Sequence, residues 1–112
     1  MKHPSESDEW LDELVDTWTE MYKKSMVTLV LLRVIGSAGQ ASVDAIATTL
    51  KRTTGWSITE RGLYRTLRRL ASSGLLATAE VDVPRTGAKR KDFELTDLGS
   101  RYLARIEREL LD

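Results

Sequence analysis

Residues 26–32, MVTLVLL, form the longest apolar run in the chain, and Arg33 is the only charge in the wider stretch SMVTLVLLRVIG. A helix here is apolar nearly all round, so it must be covered on most sides, by a domain core or by a second subunit. The run is far too short to span a bilayer, which takes about 20 apolar residues. Lys23 and Lys24 precede it as in a signal peptide, but the position is internal and no small-residue cleavage site follows. A cytoplasmic protein with no membrane partner is expected. A chain of 112 residues is enough for one domain with a modest core.

Periodicity supplies that cover. Trp10, Leu11, Leu14, Val15, Trp18, Met21 and Tyr22 recur at helical spacing with acids between them, predicting a helix from about Asp8 to Lys24 capped by Ser7 or Ser5. Lys23 and Lys24 at its end suit the helix dipole. The apolar helix follows, ended by Gly36 and Gly39. Ser42 then caps VDAIATTLKRTTG, whose stripe is Val43, Ile46, Ala47 and Leu50, and Gly55 stops it. After Trp56, expected to plug the core, Thr59 opens a helix on which Leu63, Leu67 and Leu70 fall within about 60° of one another. Gly74 closes it. LLATAEVDV alternates as a half-buried strand, with Ala77, Ala79, Val81 and Val83 on one side. PRTGAK is a turn, and RKDFEL is a return strand with Phe93 and Leu95 inward. Thr96 caps a last helix striped by Leu98, Tyr102, Leu103, Ile106 and Leu110. The expected fold is mainly α with a small β-hairpin: a winged helix-turn-helix at 25–97, between an acidic N-terminal helix (1–24) and a C-terminal helix (98–112) that serve dimerisation.

The net charge of zero conceals a segregation. Residues 1–22 carry seven acids against Lys2, whereas residues 51–91 carry ten bases against Glu60, Glu80 and Asp82. Arg61, Arg65 and Arg68 lie opposite the leucine rib, with Arg69 at its margin. A second basic group, Arg85, Lys89, Arg90 and Lys91, surrounds Gly87 in the turn between the strands. Such clustering calls for a polyanion. Double-stranded DNA, with about one charge per 1.7 Å of axis, fits a polar helix face. Arg61 and Arg65 are candidates for guanine edges, while Thr59 and Tyr64 can donate to phosphate. Gly62 removes a side chain where the backbone approaches, and Arg68 and Arg69 flank the backbone. The basic turn suits the neighbouring minor groove. A different class remains open: a protein-interaction module presenting its basic helix to an acidic partner.

ITERGLYRTLRRLASSGLL (58–76) and GAKRKDFELTDLG (87–99) resemble the recognition helix and the wing of PadR-type transcriptional regulators. The resemblance runs over about residues 25 to 105. It implies a dimeric winged-helix repressor on a pseudo-palindromic operator, with Tyr64 as the recognition-helix tyrosine and Lys89, Arg90 and Lys91 as the basic wing. Asp92 stands where an aromatic residue is frequent in that family, and ASVDAI where a Gly-Tyr pair is common.

Catalysis finds no support. Cysteine is absent and His3 is the only histidine, so thiolate and histidine-based nucleophiles and metal sites are excluded. No cofactor is expected. Trp10 and Trp18, eight apart, lie within about 80° on one helix face. With Leu14 and Met21, and with Tyr102, Leu103, Ile106 and Leu110 of the last helix, they are candidates for a homodimer interface or for a pocket holding a small planar apolar ligand.

Overall fold

The structure, a computed structural model, describes residues 5–111; Lys2 and His3 lie outside the described residues. The elements run α1 (Glu6–Ala38), β1 (Ala41–Ser42), α2 (Val43–Thr54), α3 (Glu60–Ser72), β2 (Leu76–Asp82), β3 (Lys89–Leu95) and α4 (Asp97–Leu111).

The two helices expected at either side of Lys24 are a single unbroken α1 of 33 residues. No proline or glycine interrupts residues 6–35, and the Thr28 hydroxyl donates to the Lys24 carbonyl at 3.1 Å. Ser5 caps it, accepting from the Asp8 N–H while the Asp8 carboxylate reaches back to the cap, a reciprocal capping box. Lys23 and Lys24 are therefore mid-helix, and the dipole does not explain them. Gly36 also lies inside α1. A Cβ there would stand 2.9 Å from Leu95 Cδ1, so glycine lets β3 approach the helix closely. The stop is Gly39, whose φ of 80° suits glycine and whose N–H bonds the Ile35 carbonyl at 2.9 Å.

The core gathers Leu31, Leu32 and Ile35 of α1, Ile46 and Leu50 of α2, the Leu63–Leu67–Leu70 rib of α3, then Leu75, Leu76 and Phe93. Trp56 is half-buried and does not plug this core; Ile58, two residues on, packs against it instead. The sheet has a third strand that periodicity did not reveal. Its order is β1-β3-β2, antiparallel throughout, with Ser42 opposite Asp92 and Leu76 opposite Leu95.

The caps at Ser42, Thr59 and Thr96 form as the sequence predicts. Ser42 accepts from Ala45 N–H, Thr59 from Gly62 N–H, and Thr96 from Gly99 N–H at 2.9 Å. The Thr96 hydroxyl also donates to the Gly74 carbonyl at 2.6 Å, tying the start of α4 to the exit of α3. The molecule measures 65 × 37 × 25 Å, and its long dimension follows from α1, a rod of about 50 Å at 1.5 Å per residue. The half of α1 before Lys23 stands clear of the core: Trp10, Leu14, Trp18 and Met21 are all exposed.

Candidate nucleic-acid interface

Burying the leucine rib turns the other face of α3 outward. Arg61, Tyr64, Arg65 and Arg68 line one shallow depression on that face, and all four are exposed. Among the described residues, no ion pair engages Arg61, Arg65, Arg68 or Arg69. Arg69 departs from the group. It turns toward α1, lining clefts shared with Lys24 on both sides.

Thr59 is exposed at the mouth of α3, where its oxygen accepts from Gly62 N–H at 3.0 Å and its own proton has no acceptor among the described residues. Gly62 has a local reason for being glycine. A Cβ there would meet Thr59 Oγ1 at 3.0 Å and Ile58 Cγ1 at 3.4 Å, crowding the cap.

The wing is the β2–β3 hairpin. Its tip is pinned by the Val83 N–H to Ala88 carbonyl bond at 2.9 Å, and the Thr86 hydroxyl accepts from Ala88 N–H at 3.1 Å. Arg85 holds φ 71° and is the one non-glycine residue at positive φ among those described. That conformation costs about 1 kcal/mol for a residue with a Cβ, so the arginine sits there against the local preference.

Two wing bases have acidic neighbours. Lys89 Nζ lies 3.7 Å from Glu80, both groups well exposed, a contact worth little in water. Arg90 is held more firmly. Its Nε bonds Asp92 Oδ1 at 2.9 Å and its Nη2 reaches Oδ2 at 3.4 Å, while Gln40 donates to the same Oδ2 at 3.2 Å. Asp92 is buried. The Arg90 hydrogen bonds hold its carboxyl below the usual carboxylate range against the opposing effect of burial, with Gln40 and the Arg90 charge assisting. Because Gln40 directly precedes β1, this carboxylate ties the turn after α1 to the root of the wing.

The model of the PadR-like family of transcriptional regulators matches residues 31–105. The chain belongs to the PadR-like family. It is therefore a transcription regulator and not an enzyme. Its fold matches a PadR-family regulator from Eggerthella lenta (28% identity, TM-score 0.68, covering 91% of this chain and 86% of that one). It also matches a PadR-like transcription factor from Bacteroides fragilis (24%, 0.72, 84% and 88%). A third match is Bacillus subtilis PadR in complex with operator DNA (23%, 0.62, 70% and 46%). No curated protein sequence matches the chain. None of its described helices is long and apolar enough to cross a membrane.

The PadR-like match begins at Leu31, so the first 25 residues of α1 precede it. Gln40, buried Asp92, and Lys23 and Lys24 beside α3 are what sequence reasoning missed at this surface. Only the Asp92 departure from the family pattern gave a signal.

The Asp92 network yields a pH-dependent expectation. Asp92→Asn should cost about 1–2 kcal/mol at neutral pH, the scale of a charge-assisted bond discounted for Arg90's exposure. A carboxyl whose native pKa is lowered stabilises the fold above its unfolded value of about 3.9 and loses that contribution as pH falls through the native value. Urea unfolding should therefore show the full gap between parent and variant near neutrality. The gap should narrow below about pH 4 and vanish in stronger acid.

Proposed function

We propose that this PadR-family protein is a repressor that binds a pseudo-palindromic operator as a homodimer. In this reading α3 enters the major groove. Arg61 and Arg65 meet base edges, while Thr59, Tyr64 and Arg68 meet phosphates. Arg85, Lys89, Arg90 and Lys91 bring the wing to the neighbouring minor groove. The observation that carries the reading is the outward grouping of Arg61, Tyr64, Arg65 and Arg68, with no ion pair to its arginines among the described residues. Arg85, kept at positive φ on the wing tip, adds support from a second element.

The dimer would form through the terminal helices. Trp10, Leu14, Trp18 and Met21 of α1 and Tyr102 and Leu110 of α4 are exposed, and Leu103 and Ile106 are half-buried. An apolar stripe of that size in water is an association surface. Trp18 stacks on Tyr22 at 5.4 Å between ring centroids, leaving its other face for the partner or for a planar apolar ligand enclosed between subunits. Quenching of tryptophan fluorescence by planar compounds, with parallel release of DNA, tests the ligand part.

Footprinting on the DNA upstream of its own gene supplies the operator for the main test. Arg65→Ala should then weaken specific binding by about 1–3 kcal/mol and relax discrimination at one position per half-site. The fold should be unchanged, since Arg65 is exposed on the side away from the rib. Equal loss on operator and random DNA would reassign Arg65 to phosphate contact.

A further inference from the structure

Lys23, Lys24 and Val27 of α1 face Ile58 and the Gly62–Arg65–Thr66–Arg69 side of α3 across a cleft of about 370 Å³. Four cations and, among the described residues, no acid line it. Arg65 borders both this cleft and the arginine-lined depression on the outward face of α3, so the two surfaces are continuous. Like charges gathered this way repel one another unless an anion lies among them.

We propose that this cleft seats a backbone phosphate of the DNA strand flanking the major groove entered by α3, with Lys23 and Lys24 as its ligands from α1. The assignment rests on the DNA-binding reading of α3. It adds contacts from a stretch of helix that lies before the residues matched by the family.

The charge pattern of α1 locates the contact. At 100° per residue, Lys23, Lys24 and Val27 span about 100° of the helix surface, and Glu13, Asp16 and Glu20 continue within the same arc. The sign reverses between Glu20 and Lys23. Lys23 Nζ lies 4.0 Å from Glu20, both groups more than half exposed, a pairing too weak to neutralise it. Glu20 lies about 6 Å along the axis from Lys24, within one Debye length of about 8 Å at physiological salt, and Asp16 about 12 Å away, at about one and a half. A duplex is thus attracted at Lys23 and Lys24 and repelled one to two turns beyond them. The reversal marks the outer edge of the footprint. Lysine suits this position, because a phosphate met as a point charge needs no bidentate fork.

The test is a salt series from about 50 to 200 mM with a short random-sequence duplex, comparing the parent with a Lys23→Gln/Lys24→Gln double variant. Phosphate contacts carry no sequence information, so the plot of log affinity against log salt should flatten by about one unit for each phosphate that is no longer neutralised. Affinity for specific and for random DNA should fall equally. Circular dichroism and light scattering should be unchanged, since both lysines are exposed. An unchanged slope overturns the assignment. Tighter DNA binding by the variant also overturns it, and would mean that the cleft holds an acidic segment of a second copy. If the parent itself bound no duplex, the reading of α3 would fall first, which separates the two failures.

Discussion

Gly99→Ala is expected to destabilise the protein by about 3 kcal/mol or more, and to expel α4 from its seat. A Cβ at position 99 would lie 2.0 Å from the Leu75 carbonyl oxygen and 3.0 Å from its carbon. The obstacle is backbone, so no side-chain rotation relieves it. That same carbonyl accepts from Thr96 N–H at 3.1 Å, and Leu75 is itself buried. Moving either partner breaks the corner that joins β3 to α4. Overpacking against adaptable side chains costs about 1–3 kcal/mol, and a rigid obstacle lies at or beyond the top of that range. Gly36→Ala provides the contrast. Its Cβ would meet side-chain ends alone, Leu95 Cδ1 at 2.9 Å and Leu103 Cδ2 at 3.9 Å, and alanine returns about 1 kcal/mol of helix propensity. Urea unfolding should separate the two variants widely. Equal midpoints for Gly99→Ala and the parent would mean that α4 does not sit against the Leu75 carbonyl.

Removing residues 1–22 should have the largest effect on function. The cut leaves α1 from Lys23 onward, so every core residue of the helix, from Val27 to Ile35, stays in place. The exposed stripe of Trp10, Leu14, Trp18 and Met21 goes, together with seven acids. Light scattering should then find monomers. Operator affinity should fall by roughly 10²-fold or more, because two linked half-sites become independent weak ones. A rival role for the acids is inhibition of the arginine face. In the same molecule that would require α1 to break near Lys24, where it is continuous. A shortened protein that stays dimeric and binds DNA more tightly would nonetheless establish inhibition, exerted between copies, and end the dimer assignment.

Much of the fold was legible because its signals are local. The α3 rib follows from one helical period, and Ser42, Thr59 and Thr96 announce helix starts through side chains that reach only three residues ahead. The errors share a different cause. Gly36 reads as a helix stop by propensity, but packing against Leu95, far along the chain, decides its place. Two residues, Ala41–Ser42, carry no alternation, and their strand exists only because β3 offers an edge. At the candidate interface, the grouping of Arg61, Arg65 and Arg68 was visible in the spacing. The turn of Arg69 toward α1 was not, nor was the capture of Arg90 by Asp92, which Gln40 reinforces from 52 residues away. Trp56 looked like core by its size, yet its neighbour Ile58 took the space.

The unbroken course of α1 through Lys24 makes it a lever as well as a scaffold. In a dimer joined by the arms, the crossing angle of two rods sets how far apart the reading heads stand, with no hinge to absorb a mismatch. A tilt of about 10° acting over the roughly 25 Å of arm shifts the head by about 4 Å, close to the 3.4 Å step of a DNA strand. Phase matters as much as angle. One residue inserted near Ser25 would turn the arm by about 100° relative to α3, whereas seven, about two turns, would nearly restore it. Operator spacing would then be written into the pitch of a single helix.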